Sequence, residues 1–251
     1  MHTQNIHPAQ PLPSAMMEAY IAMADALANS IHQTVSLFDT STMKIIYISP
    51  TPDSRQNKYR ELALRQSLDI YRDSIPDEER RWLRMAHEQL HPIVARMGAE
   101  ERKHASLTQY HHYILHDGRK VLVRRTISTV HRNSDGSPRI LLTLHTLTVQ
   151  HDGLFAMLNN PAKKEYHTYN FATHQWEKHC YASLTDNEIQ MLKLSNQGYS
   201  VKAIADAMHK STETVKGYRK AVFDKLNVGN IQGAIHLALH LKLIEYRNDK
   251  L

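Results

Sequence analysis

Lys216, Arg219 and Lys220 fall within five residues of one another, just after Ser211, Thr212 and Thr214. On a helix Lys216 and Lys220 stand one turn apart on a single face. Paired ammonium groups in that arrangement neutralise phosphates or reach base edges in a groove of duplex DNA. The hydroxyls of Thr212 and Thr214, together with the unpaired amides of a first helical turn, suit phosphate oxygens. Gly217 has no side chain and lets the backbone approach a partner closely. Arg219 sits at the edge of the same face, within reach of a phosphate. Lys202, on an earlier helical pattern, is a further candidate cation. The expected chemistry is polyanion binding, with duplex DNA as the partner.

Other chemistries find less support. The 18 histidines are scattered from His2 to His240, and the close pair His111–His112 would point to opposite faces of a strand, so no metal site is expected. The single Cys180 excludes an internal disulfide framework and a multi-thiolate zinc site, and fits a reducing cytoplasm. No thiolate-stabilising set surrounds it, so it reads as inert. With 8 glycines and one cysteine the chain offers no phosphate-cradling glycine loop and no nucleophile–base pair, so it is not expected to be an enzyme. The net charge of +6 and a pI near 9.3 suit a polyanionic partner. Apolar runs such as Val121–Val123 and Ile140–Leu144 are far shorter than the roughly 20 residues that span a bilayer. A cytoplasmic location without membrane attachment is therefore expected.

The elements that must carry these residues emerge from patterning. Residues 1–13 hold three prolines among polar neighbours and read as a disordered leader. Met16, Tyr20, Met23, Leu27 and Ile31 draw an apolar stripe down a helix with Ser14 as its N-cap. Thr34–Asp39 and Lys44–Ser49 form a hairpin. From Asn57 to about Met97 the pattern is helical, broken at Ser74-Ile75-Pro76, with Asp77 capping the helix beyond the break. Three strands, about Tyr110–His116, Lys120–His131 and Pro138–Val149, make an antiparallel meander through Asp117-Gly118 and Asn133-Ser134-Asp135-Gly136. Over 151–181 a linker with a short β-hairpin, built around Glu165–Phe171, is expected to bridge two domains.

The last segment, 182–251, is patterned as four helices. Thr185 and Glu188 form a capping box, Gly198 ends the first helix, Ser200 caps the second and Ser211 the third. In the third, Val215, Tyr218, Val222 and Leu226 share one face while Glu213, Lys216, Gly217, Lys220 and Asp224 lie opposite. Asn227 ends it in a left-handed turn, and a fourth helix runs from about Asn230 to Leu243.

Leu184, Thr185 and Glu188, then Gly198, Lys202, Ile204-Ala205, Thr214-Val215-Lys216, Lys225-Leu226 and Ala234 match in register the LuxR/FixJ family of helix-turn-helix regulators, which this segment resembles. The departure is Ile231-Gln232-Gly233, which puts a glycine inside the fourth helix. Residues 14–150 resemble the PAS family of sensory domains, whose five antiparallel strands carry helices between the second and third. The matching points are the first hairpin, Ile75-Pro76-Asp77-Glu78 and His116-Asp117-Gly118-Arg119. The expected fold class is α+β: a PAS-like five-stranded antiparallel sheet with helices, then an all-α four-helix LuxR-type domain.

These resemblances imply a bacterial, sequence-specific transcriptional regulator whose PAS-like domain senses a signal or mediates dimerisation. A homodimer on paired half-sites is expected, with Ile231, Ile235 and Ala238 of the fourth helix among the candidate two-fold contacts and RNA polymerase among the implied partners. The ligand is unknown: a flavin–cysteine photosensor is disfavoured because Cys180 falls outside 14–150, and haem has no preferred axial histidine. The alternatives are an enzyme or a ligand-binding or protein-interaction scaffold with an accessory basic helical domain. Salt-dependent binding to duplex DNA separates the first reading from these.

Overall fold

The computed structural model describes residues 12–50, 60–65, 67, 74–115, 117–148 and 154–245. The leader expected over 1–13, except its last two residues, lies outside them, as do the helical start at Asn57, the approach to Ser74, and His116. The chain divides into two compact units, Met1–His179 and Cys180–Leu251.

The first unit is built on one antiparallel sheet. Helix α1 (Ser14–Ile31) precedes the hairpin of β1 (Thr34–Asp39) and β2 (Lys44–Ile48); residues 60–65 are helical, and α2 (Asp77–Ala95) and α3 (Ala99–His104) lead into β3 (Ser106–Ile114), β4 (Lys120–Arg132) and β5 (Pro138–Leu147). Helices between the second and third strands complete the expected PAS-like plan. The strand count does not stop at five. Residues expected to form a linker and short hairpin instead give β6 (Phe155–Asn160), β7 (Glu165–Asn170) and β8 (Gln175–Cys180), which extend the sheet to eight strands in the order β2-β1-β5-β4-β3-β6-β7-β8. The cause is side-chain burial beneath α2. β6 pairs with β3 from Tyr110↔Phe155 to Ser106↔Asn159 and buries Ala156, Met157 and Leu158. Tyr169, Phe171 and Trp176 pack with Trp82, Leu83 and Ala86 of α2, and the Trp176 indole donates to the Ala86 carbonyl at 2.9 Å. On this helix of 19 residues Trp82 clusters with Ala156 and Tyr169, and Leu90 with Leu158, so the added strands cover its apolar face.

Alternation along the strands separates two cores. On one face Val35, Leu37 and Ile140 meet α1, which contributes Ala24 and Ala28, both buried. The expected stripe on α1 is shifted: Met16 and Met23 are 38% and 41% exposed, while Met17, Tyr20, Ile21, Leu27 and Ile31 flank the alanines against the sheet. Two small side chains one turn apart let the helix backbone approach the strands closely, and this outweighs the larger area of methionine. Two caps also differ. Ser14 and Asp77 are the first helical residues rather than caps; Pro13 and Pro76 occupy the cap positions, and Asp77 pairs with Arg80. A proline fixed near φ −65° starts a helix without a side-chain cap, and Asp77, Glu78 and Glu79 in the first turn of α2 complement the helix dipole.

Candidate nucleic-acid interface

The second unit consists of α4 (Asp186–Asn196), α5 (Val201–Met208), α6 (Thr212–Leu226) and α7 (Ile231–His240). Each helix start is fixed by a side chain. Thr185 accepts from the Glu188 amide at 3.4 Å, and the Glu188 carboxylate accepts from the Thr185 amide at 2.7 Å, the reciprocal capping box. Ser200 accepts from the Ala203 amide and Ser211 from the Thr214 amide, at 3.2 and 3.1 Å. Asn230 accepts from the Gly233 amide at 2.8 Å, so Gly233 lies in the first turn of α7, where its amide is capped, and not in the helix interior. Gly198 at φ 86° and Asn227 at φ 52° end α4 and α6 in the left-handed conformation.

The core comprises Met191 and Leu192 of α4, Ile204, Ala205 and Met208 of α5, Val215, Val222 and Leu226 of α6, and Ala234, Leu237 and Ala238 of α7. One ion pair rivets it. Glu188, buried at the start of α4, receives Lys225 of α6, whose Nζ lies 3.0 and 2.8 Å from the two carboxylate oxygens. Burial raises the acid's affinity for a proton, but the hydrogen bonds from Lys225 and Thr185 outweigh it and hold the carboxyl below its ordinary value. Lys225 is thereby committed to the fold.

Between α5 and α6 the chain turns through His209, which adopts φ 53° and ψ 46°, and Lys210 donates its amide to the Ala205 carbonyl at 2.9 Å. This is a helix-turn-helix, and α6 is its second helix, with one face exposed. Glu213, Lys216, Gly217, Lys220 and Asp224 stand on or beside that face, and a side chain built at Gly217 would meet open space. Thr212 is exposed and Thr214 half-buried, its hydroxyl 2.9 Å from that of Ser211. Arg219 is half-buried with its guanidinium 5.8 Å from the Phe223 ring, which fixes it at the margin of the face. Lys202 is exposed on α5. Sequence reasoning placed Glu213 on this face but missed its ion pair: Glu213 holds the Lys216 ammonium at 2.7 Å in an exposed i, i+3 arrangement. Its position three residues before Lys216 was the available signal.

The residues expected at a two-fold contact are placed differently. Ile235 is 7% and Ala238 0% exposed, both within the unit's own core, whereas Ile231 is half-buried. The apolar side of α7 packs inward because a four-helix unit this small needs all of it.

The exposed Glu213–Lys216 pair contributes little to stability, since such pairs are worth about 0–1 kcal/mol. On a surface facing a polyanion, however, the carboxylate repels. Glu213→Gln is expected to tighten binding to non-specific duplex DNA several-fold at low salt, measured by fluorescence anisotropy; weaker binding would show that Glu213 itself makes a favourable contact.

Residues 182–238 match the model of the bacterial regulatory proteins, luxR family. The response regulator UvrY of Escherichia coli (strain K12) is 34% identical over 59 residues, 24% of this chain; the chain spans about a quarter of that regulator's length, 27%. Among solved structures, the Vibrio cholerae VqmA dimer is 16% identical over 91% of this chain and 88% of its own, with a TM-score of 0.26. The VqmA–ligand–DNA complex is 17% identical over 92% and 88%, with a TM-score of 0.29. A light-oxygen-voltage domain studied with a flavin analogue is 18% identical over 51% and 87%, with a TM-score of 0.33. At that looseness of superposition none of the three carries the assignment, which rests on the match over residues 182–238 and on the four-helix geometry.

Proposed function

We propose that this chain, whose C-terminal unit is a luxR-family helix-turn-helix domain, is a sequence-specific DNA-binding transcription regulator. The observation that carries the reading is the capped helix α6. Its apolar side is buried in the unit, and its other side offers Lys216 and Lys220, one turn apart and exposed, around the bare backbone of Gly217. In this reading α6 enters the major groove, Lys216 and Lys220 contact the groove, and Thr212, Thr214 and the first-turn amides hold a phosphate. Arg219 and Lys202 reach flanking phosphates. Lys225 takes no part, because Glu188 retains it.

One module of this size makes few contacts, so useful specificity calls for a homodimer on half-sites about one helical turn apart. With Ile235 and Ala238 buried, the two-fold contact falls elsewhere than on the inner side of α7. In the same reading the sensory or dimerising domain, expected over 14–150, takes in β6 to β8 and ends at His179, 182–251 form the DNA-binding domain, and the chain works in the cytoplasm with RNA polymerase as the machinery it influences.

The test is selection of bound genomic fragments by the full chain, followed by footprinting at low ionic strength. Protected sites with paired half-sites are the expected result. Absence of protection at low salt would overturn the reading.

A further inference from the structure

Beneath α2 the sheet is polar where a core would be apolar. Gln109 of β3, Arg125 of β4 and His145 of β5 are cross-strand neighbours in one row. His111 stands beside it on the same face of β3, and His87 comes down from α2 to meet the Gln109 amide at 3.2 Å. Gln109 and His111 are wholly buried. Yet the Gln109 Oε1, both ring nitrogens of His111 and the Arg125 Nε are shut off from solvent without a hydrogen-bond partner among the described residues. Groups of this kind are ordinarily satisfied in a folded protein, and leaving them bare is costly.

The electrostatics give the missing partner a sign. Burial pushes His87 down to about 4, His145 to about 3 and His111 well below its ordinary value, and the charge of Arg125 acts in the same direction on all three. The imidazoles are therefore neutral at physiological pH, and Arg125 carries the charge of the row. Glu79 of α2 cannot serve it, being taken by His112 and Lys120 at 2.8 and 3.2 Å. A cleft of about 400 Å³ runs along α2 up to His87, the one member of this polar group that lines it; Leu90, Leu107 and Ile127 wall it together with Arg102, Arg132 and Asp135. Leu107 and Ile127 each lie two residues from Gln109 and Arg125 on the same strand faces.

We infer that this row and the adjoining cleft form a binding site for a small organic monoanion, a carboxylate with an apolar or aromatic body. The carboxylate pairs with the Arg125 guanidinium, whose planar fork matches two acceptor oxygens. The Gln109 side-chain N–H and one ring N–H from each of the neutral imidazoles of His111 and His87 donate to its oxygens. The apolar body occupies the cleft, which lies in the size range of small-molecule sites. Arg125, with Arg102 and Arg132 on the cleft wall, disfavours a cation. The site rests on the sensory role proposed for this domain and gives it a ligand class, but its occupancy is read out without DNA.

The experiment follows the melting of the full chain, and its titration calorimetry, with hexanoate and benzoate set against hexanamide and benzamide. At least one acid is expected to raise the melting temperature by at least about 2 °C and to bind with measurable heat, while its amide does neither. Arg125→Gln is expected to abolish that difference and Arg125→Lys to restore part of it. Ligand-free Arg125→Gln should melt no lower than the parent, because it removes an uncompensated charge. The comparison of acid with amide needs no variant, so it stands even where a substitution prevents folding. Equal responses to acids and amides, no response to either, or an acid response that survives in Arg125→Gln would overturn the site. The Lys216→Ala, Lys220→Ala chain should keep the acid response, which separates failure here from failure of the DNA-binding reading.

Discussion

Replacing Lys216 and Lys220 together by alanine is expected to lower affinity for duplex DNA about 100-fold and to flatten the slope of log affinity against log salt by about two units. Each ammonium that neutralises a phosphate releases close to one counterion, so the slope counts contacts directly. Both side chains are exposed on α6 and bury nothing in the unit, so their removal leaves the fold standing. Lys216 gives up only its exposed partner Glu213, and alanine is the better helix former. Anisotropy titrations at several salt concentrations check the slope, and circular dichroism checks the fold. A loss confined to one sequence, with the slope unchanged, would instead assign the two lysines to base edges. Unchanged affinity in the double variant would refute the face altogether.

Glu188→Ala is expected to destabilise the C-terminal unit by about 3 kcal/mol, through loss of a cap and of the partner of a tethered cation. The carboxylate caps α4 through Thr185 and binds Lys225 of α6, so one side chain joins the first and third helices of the unit. A unit this small has a total stability of about 5 kcal/mol, and the variant should sit near its unfolding transition at body temperature. The pH dependence has a definite sign. Because the folded carboxyl is held below its ordinary value, its contribution is complete above the ordinary glutamate range and is lost as pH falls through the lowered value. Glu188→Gln should be intermediate, keeping the reach to the Thr185 amide but not the charge. Urea unfolding monitored by helical circular dichroism is the measurement, since Trp82 and Trp176 both lie in the other unit. A shift in midpoint below the equivalent of about 1 kcal/mol would show that Lys225 finds another partner.

The C-terminal unit is readable from sequence because its rules are local. Thr185, Ser200, Ser211, Gly198 and Asn227 each act within four residues of themselves, and all five do in the structure what their types dictate. The departures arise where a distant element decides. Residues 155–180 read as a bridge because nothing in their own neighbourhood reveals that β3 has a free edge or that α2 needs aromatic cover. On α1 the methionines outrank the alanines by hydrophobicity, yet Ala24 and Ala28 are the helix residues buried against the strands, with Met17, Tyr20, Ile21, Leu27 and Ile31 around them. On α7 the apolar stripe is visible, but whether Ile235 and Ala238 face their own core or a second subunit is a question of how much area the other three helices require.

The polar row beneath α2 escapes sequence reasoning for a related reason. Closeness along the chain picks out His111–His112 among the histidines, whereas residues 109, 125 and 145 become neighbours only once three strands are in register. Arginine and glutamine also read as surface residues in isolation, and only their burial makes them informative.

In the proposed role, the corner at His209 bears on how quickly the chain would find a DNA site. His209 holds a left-handed conformation that costs a side-chain-bearing residue energy, and the Lys210 amide bonded to the Ala205 carbonyl closes the turn behind it. The angle between α5 and α6 is thus set before DNA arrives. Association then needs no folding step at the reading head, because the entropy of ordering that helix has already been met in folding of the free protein. In the proposed role, encounter with DNA would be governed by long-range attraction and diffusion rather than by a slow rearrangement.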